Sequence, residues 1–197
     1  CSSDLENTNN EQFMGDGFQF IYFDHNNDLT PSEAMRNARD GKFETVNTQT
    51  PSLGYTQTTT WIYLKLDSTK LSSKDWYMVL RNPSLSLIDV YEPMDKRTIA
   101  RWRTGSTRSF YSRPVAHRDF LFPVDFSIHK NQEFLIRVRS AIAMQLPLTL
   151  QSYDGFWADE QYHQAQIGLF FGMAIVMVIF NLFIFNLNLF FNYFLII

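Results

Sequence analysis

The chain has 197 residues and a formal net charge of −3. This slight acidity gives no reason to expect a nucleic acid as a partner, because nucleic acids attract strongly basic surfaces. The one cysteine, Cys1, excludes an internal disulfide. The composition changes near Ala165, from a mixture of polar, charged and aromatic residues to a nearly apolar sequence. We therefore predict one folded domain of about 150 residues, followed by a membrane segment.

Residues 1–17 are polar and rich in turn-forming residues, which predicts a tether in front of the folded domain. Cys1 and the polar residues after it fit the acylated N-terminus of a lipoprotein. The alternative is that the chain was simply cut at this position.

One short helix is predicted after the first strand. Thr30 is suited to cap its N-terminus, Pro31 fits the first helical position and Glu33 completes a capping box. Gly41 is suited to end it.

The remainder of the domain, up to residue 155, has the alternation of apolar and polar residues that is typical of strands. In "TWIYLKLD", for example, Ile62, Leu64 and Leu66 share one face. Pro123 indicates an edge strand or a bulge. We predict a mainly β domain over residues 18–155, an antiparallel jelly-roll-like β-sandwich with one short helix. The predicted strands are "FQFIYFD", "TWIYLKLD", "WYMVLRNP", "LSLIDVYEP", "TIARW", "RDFLFPVDF", "EFLIRVRS" and "LPLTLQSY".

Residues 156–188 are predicted to form a transmembrane α-helix with its lead-in, since residues 167–185 carry no charge. Gly168 and Gly172 form a GxxxG pattern that suits close helix packing, and the amide of Asn181 favours a hydrogen bond to another helix. The apolar run resumes at residues 189–197, which we interpret as the start of a second, truncated span. The charges at the ends of the span do not define its orientation.

Signals for catalysis are absent from the sequence. It contains no glycine-rich phosphate loop, no HExxH and no CxxC, and its four histidines lack the spacing of metal ligands. We therefore predict no catalytic residue, no metal and no cofactor in this chain.

A basic and aromatic segment, "DKRTIARWRTGSTRSFYSRPVAHRDF", is the best candidate for a binding site. Guanidinium groups bind carboxylate or phosphate, and flat rings cover sugar faces. Three alternatives stay open: a solvated pair of strands with balanced charge, contact with anionic lipid headgroups, and a loop that Arg113 and His117 tie to backbone carbonyls. The candidate ligand-binding residues from this segment are Trp102, Arg103, Tyr111, Arg113, His117 and Arg118.

Several stretches occur together in the order found in one family: "LGYTQTTTWIYLKL", "WYMVLRNPSLSLIDVYEP", "SRPVAHRDFLFPVDF" and "FLIRVRSAIAMQLPLTLQSYDGF". They resemble the type 2 extracellular domain of bacterial seven-transmembrane receptors with diverse intracellular signalling modules. The next stretch, "QIGLFFGMAIVMVIFNLFIF", resembles the first helix of that family's membrane region. The stretch after it differs, because the family usually has a short charged loop where this chain has "NLNLFFN".

The resemblance implies a periplasmic jelly-roll-like sensor for carbohydrate-type ligands, seven helices, and a cytoplasmic output domain such as a diguanylate cyclase or histidine kinase. It also implies that Trp61, Arg113, His117 and Arg118 occupy recurrent positions, as ligand-binding or framework residues.

We expect the chain to be the ligand-sensing part of a receptor in the bacterial inner membrane, with its β domain in the periplasm. The expected partners are the lipid bilayer and a small molecule or carbohydrate, which can be anionic; a homodimer is also allowed. One rival hypothesis is a membrane-tethered glycan-binding module without signalling. The other is a membrane-anchored jelly-roll hydrolase, which needs two neighbouring carboxylates.

Overall fold

The computed structural model describes residues 12–13, 19–45, 58–68, 75–94, 97–127, 131–140 and 145–196. The chain forms two units, Cys1–Gly155 and Phe156–Ile197. Of the predicted tether, only residues 12–13 are described, and they form a strand.

Strands are the main element of the described residues up to Ser152. In chain order they are β1 (Gln12–Phe13), β2 (Gln19–Asp24), β3 (Glu44–Thr45), β4 (Thr59–Asp67), β5 (Asp75–Leu80), β6 (Leu87–Met94), β7 (Arg97–Thr104), β8 (Phe120–Asp125), β9 (Asn131–Arg139) and β10 (Leu148–Ser152). The helices are α1 (Pro31–Arg39) and α2 (Tyr153–Ile196), and a 3-10 turn spans Phe110–Ser112.

The strands form two antiparallel sheets. Sheet A has the order β1-β10-β5-β8, and sheet B has the order β3-β2-β4-β9-β6-β7. From β4 onward the chain crosses repeatedly between the sheets, which gives the sandwich its jelly-roll-like connectivity. The predicted fold class is therefore confirmed. Pro123 lies on β8 at an edge of sheet A, as its missing N–H predicts.

The main core fills the space between the two sheets, because alternate residues of each strand point to it. Ile62, Leu64 and Leu66 of β4 all lie in it, as their spacing predicts. Sheet A contributes large side chains that are almost completely buried, among them Trp76 and Phe122.

Helix α1 covers a second apolar cluster on the outer face of sheet B. Its Ala34 and Met35 are buried there with Trp61 and Tyr63 of β4. The helix starts as the sequence predicts: the Thr30 side chain accepts the N–H of Glu33, and the Glu33 carboxylate accepts the N–H of Thr30. This packing covers one part of the outer face of sheet B, and no described helix covers the other part, which is called the open part.

A β-bulge interrupts the pairing of β6 with β7. Trp102 pairs with Val90, whereas Ala100 pairs with Tyr91, so Arg101 is the extra residue. Ala100 and Trp102 consequently lie on opposite faces of sheet B. Ala100 packs against the cluster under α1, and Trp102 packs against the main core.

The second unit consists of helix α2 from Phe156 onward. Residues Tyr153–Leu189 are long and apolar enough to cross a membrane, and they include an 18-residue window with a mean hydropathy of 2.6. The amide of Asn181 donates to the carbonyl oxygen of Met177 at 2.8 Å, within the same helix. Residues 189–196 continue this helix. A separate second span there, and helix packing through Gly168 and Gly172, stay predictions.

Candidate functional site

The open part of the outer face of sheet B carries a row of charged side chains. On three neighbouring strands, Arg137 of β9, Asp89 of β6 and Arg103 of β7 stand in cross-strand register. Trp61 of β4 continues this row beside Arg137. Side chains in register on one face of a sheet lie about 5 Å apart at Cβ. The row therefore places a carboxylate between two guanidinium groups.

Asp89 is the centre of this arrangement. Its side chain is only 2% exposed, and it bonds two arginines at once. Its Oδ1 accepts from Nη1 of Arg108 at 2.5 Å, and its Oδ2 accepts from Nε and Nη2 of Arg137. A buried carboxylate needs such partners, because burial without them would cost several kcal/mol.

Arg108 comes from the loop between β7 and β8 and is held in place by further bonds. Its Nη1 also lies 3.3 Å from the carbonyl oxygen of Thr104 and 3.5 Å from that of Ile88. Gly105 begins this loop with a φ of 141°, and a Cβ there would lie 2.2 Å from the carbonyl oxygen of Ser86. The loop thus depends on a glycine for its path and on Arg108 for its attachment to Asp89.

A cleft of about 120 Å³ lies beside Asp89 on this face. Arg139 forms part of its wall and is exposed, and it makes no ion pair with any described residue. Arg103, next to Asp89, is also exposed and equally lacks an ion pair among the residues that the structure describes. The lining residues are Asn27, Thr59, Leu87, Asp89, Arg137 and Arg139.

The loop before α1 forms the polar side of the cleft. Asn27 adopts the left-handed region with a φ of 57°, which asparagine tolerates better than most residues. Its Oδ1 accepts from the backbone N–H of Thr59 at 2.7 Å and from the Thr59 hydroxyl at 2.6 Å. Nearby, the buried carboxylate of Asp24 accepts the N–H of Leu29. The loop is therefore fixed to sheet B by side-chain bonds.

Of the two predicted tryptophans, one is fully buried and the other is half-buried. Trp61 is fully buried under α1, with its ring 6.0 Å from that of Tyr91 and 5.7 Å from the guanidinium of Arg137. Trp102 is half-buried against Phe122 on the inner face of sheet B. Both rings contribute to packing, and a role of either one in ligand binding stays a prediction.

Arg113 ties down the loop between β7 and β8. Its Nη1 donates to the carbonyl oxygens of His117 and Arg118 at 2.5 and 2.7 Å. Its guanidinium also lies 4.4 Å from the centre of the Phe120 ring. Partial burial lowers the pKa of Arg113 from its usual value. This geometry matches the loop-fixing alternative.

His117 and Arg118 follow in the same loop. Nδ1 of His117 accepts the backbone N–H of Asp119 at 3.1 Å, and Nε of Arg118 lies 3.8 Å from the Asp119 carboxylate. Tyr111, by contrast, is 95% exposed. A role of any of these residues in ligand binding stays a prediction.

The predicted segment thus does not form one site. Of its candidates, Arg103 lies in the charged row beside the cleft. The alternation along β9 predicts that Arg137 and Arg139 point outward, but it does not identify them as site residues. Asp89 was missed, because its position between two arginines depends on the pairing of β6 with β9, which are far apart in the sequence.

The described residues include no group of three or more His, Cys, Asp or Glu side chains that could hold a metal ion. The polar side chains that line the cleft supply guanidinium, amide, hydroxyl and carboxylate groups.

Comparison with protein families gives a match that covers most of the β domain. The family described as 7TMR-DISM extracellular 2 matches residues 16–152, and this range ends at the last residue of β10. The chain belongs to this family. Comparison with curated proteins gives no match.

Members of the 7TMR-DISM extracellular 2 family are extracellular sensing domains of membrane receptors rather than enzyme domains. In this chain a helix able to cross a membrane follows the domain. The chain is therefore a membrane protein with its β domain outside the membrane.

Proposed function

We propose that the β domain binds a small polar ligand of the carbohydrate type in the cleft beside Asp89, and that the receptor reports this binding across the bacterial inner membrane. The observation that carries the proposal is the cleft itself, a concave site lined by arginine, amide and hydroxyl groups on a rigid sheet. Such groups form the directional hydrogen bonds that sugars and their acidic derivatives require.

Signalling requires that the ligand bind more tightly to one state of the receptor than to another. The cleft is suited to this because it joins separate parts of the domain. Asn27 belongs to the loop before α1, and Arg108 of the β7–β8 loop bonds to Asp89 at its edge. A ligand that contacts these groups would change the relative energy of loop conformations.

A seven-helix membrane region with a cytoplasmic output domain is the second part of the proposal. The resemblance of residues 166–185 to the first helix of such receptors supports it. Asn181 supports it too, since its amide oxygen would gain a partner from a neighbouring helix in the bilayer. The periplasmic position of the β domain follows from this arrangement.

The position of the β domain can be tested by cysteine labelling. Replacing Cys1 by serine and Tyr111 by cysteine leaves one thiol, at a site that is 95% exposed. We expect a membrane-impermeant maleimide to label Y111C in intact spheroplasts of a bacterial host. Labelling that requires lysis of the spheroplasts would place the domain in the cytoplasm and refute this part of the proposal.

The cleft can be tested with a variant that fills it. L87W replaces a lining residue by a larger side chain, and M94W puts the same side chain at a 64% exposed position of the same strand. The chain in nanodiscs of zwitterionic lipid is titrated by calorimetry with neutral and acidic monosaccharides. We expect L87W to abolish binding and M94W to retain it. Equal binding by both variants would show that the ligand site lies elsewhere.

A further inference from the structure

We infer that the cleft recognises an oxyanion of a soluble ligand, a carboxylate or a sulfate group, with Arg139 as the principal donor and Arg137 as the second. This inference rests on the proposed function, since it concerns the ligand of the same cleft. It makes the ligand a hydroxy acid, such as an acidic sugar, rather than a neutral sugar.

The balance of charge around the cleft is the first argument. Four arginines, Arg103, Arg108, Arg137 and Arg139, lie at or beside one carboxylate, that of Asp89. Asp89 already accepts bonds from two of them. The buried carboxylate of Asp24 in the neighbouring loop offsets part of the positive charge that remains, and an anionic group of a ligand would neutralise more of it.

The uneven use of the arginine donors is the second argument. The Nη1 group of Arg108 is directed at three acceptors of the protein, Asp89 and two carbonyl oxygens. Arg137 uses Nε and Nη2 for Asp89, and its Nη1 donates to no described residue. The guanidinium of Arg139 donates to no described residue. Arg103, and Nε and Nη2 of Arg108, also donate to no described residue, but neither arginine lines the cleft. The lining arginines with free donors are Arg137 and Arg139.

The spacing of these two arginines is the third argument. They are separated by one residue on β9, so their side chains leave the same face of sheet B about 7 Å apart. Guanidinium side chains are long enough to converge on one anionic group from this distance. Asp89 fixes the plane of the Arg137 guanidinium beforehand, which reduces the entropy that binding costs. Asp89 is thus a positioning residue for the anion.

The size of the cleft is the fourth argument. Its volume of about 120 Å³ lies well below the roughly 300–1,000 Å³ of pockets that enclose a whole drug-sized ligand. The cleft therefore encloses one functional group, while the rest of the ligand lies over the open sheet face. In such a site the charge of the enclosed group decides the affinity.

Asn27 provides a second contact next to the anion. Its Oδ1 is used by Thr59, whereas its Nδ2 donates to no described residue. An amide donor beside a pair of guanidinium groups matches a hydroxyl or ring oxygen next to a carboxylate. This pattern of donors favours a hydroxy acid over inorganic phosphate.

The experiment compares glucuronate, glucose 6-sulfate, glucose and inorganic phosphate by calorimetry on the chain in zwitterionic nanodiscs. We expect glucuronate or glucose 6-sulfate to bind at least about tenfold more tightly than glucose. We also expect R139Q to lose about tenfold in affinity for the acidic sugar. R97Q is the matched control, since Arg97 is an exposed arginine at the far end of β7.

Three outcomes would overturn the inference. Glucose could bind as tightly as glucuronate, or R139Q could bind the acidic sugar as well as R97Q does. The acidic sugars could also fail to bind while, in a second preparation of nanodiscs that contain anionic phospholipid, the lipid protects Arg139 from modification, which would make a lipid headgroup the ligand. If glucose binds as tightly as glucuronate and L87W abolishes this binding, the cleft remains the ligand-binding site. In that event only its inferred preference for anions is wrong.

Discussion

Replacing Asp89 by asparagine should destabilise the β domain more than any other single loss of charge on sheet B. The side chain is 2% exposed and accepts bonds from Arg108 and Arg137, which join the β7–β8 loop to strand β9. Asparagine keeps the shape of the side chain and one acceptor oxygen. It removes the charge that both guanidinium groups face. Its amide nitrogen, which cannot accept a hydrogen bond, would point at one of these groups.

The expected loss of unfolding free energy is about 2–3 kcal/mol. Breaking a buried ion pair typically costs about 3–5 kcal/mol, since the partner stays buried without a counter-charge. The lower range applies to Asp89 because Arg108 and Arg137 are 29% and 39% exposed and keep part of their hydration. For a domain of this size the melting temperature should fall by about 10 °C.

The assay is thermal unfolding of the chain in nanodiscs, followed by tryptophan fluorescence. E92Q is the matched control, because Glu92 forms an ion pair with Arg101 on the same sheet but is 35% exposed. Exposed pairs contribute about 0.2–1 kcal/mol. If D89N and E92Q lower the melting temperature equally, the Arg108–Asp89–Arg137 group does not fix the loop, and the prediction is wrong.

Two further predictions concern the fold. G105A should cost more than about 2 kcal/mol, because Gly105 has a φ of 141° and a Cβ there would lie 2.2 Å from the Ser86 carbonyl oxygen. Burial and the nearby Glu133 carboxylate raise the pKa of Tyr63 to about 12. An unfolded tyrosine ionises near pH 10, so the stability that Tyr63 contributes is complete below about pH 10 and is lost as the pH rises towards 12.

Each of these has a control. G41A changes a glycine with a φ of 75° but no neighbour within 4 Å, so in thermal melts it should cost less than G105A; the reverse order would contradict the packing argument. For Tyr63, melts of the wild type and Y63F are compared at about pH 8 and about pH 11. We expect the wild type to lose more stability than Y63F between these values. An equal loss would mean that Tyr63 ionises like an exposed tyrosine.

The alternation of apolar residues predicted most of this fold. In β9, Phe134, Ile136 and Val138 point inward and Arg137 and Arg139 outward, as expected from a period of two. The two-residue strands β1 and β3 were not predicted, because two residues carry no period. The bulge beside Arg101 was not predicted either, since it depends on the partner strand.

The candidate site was harder to predict because its residues come from distant parts of the sequence. Asn27 and Thr59 are 32 residues apart, and Asp89 and Arg137 are 48 residues apart. The local density of arginines instead favoured the segment around Arg113 as the binding site. In the structure, the Arg113 side chain holds the β7–β8 loop in place. The density of charged residues in the sequence shows how many charges a segment has. Which residues these charges contact depends on the register of the strands.

The bulge at Arg101 has a consequence for how copies of this domain can associate. Strand β7 is an edge of sheet B, and unpaired edge strands invite strand addition by another chain. Here the edge is bent by the extra residue and carries the exposed arginines Arg97 and Arg103, neither of which has an ion pair with a described residue. Two such edges would repel each other and would not align. A receptor dimer would therefore have to form through other surfaces, and the edge beside the cleft would stay free of intermolecular β-pairing.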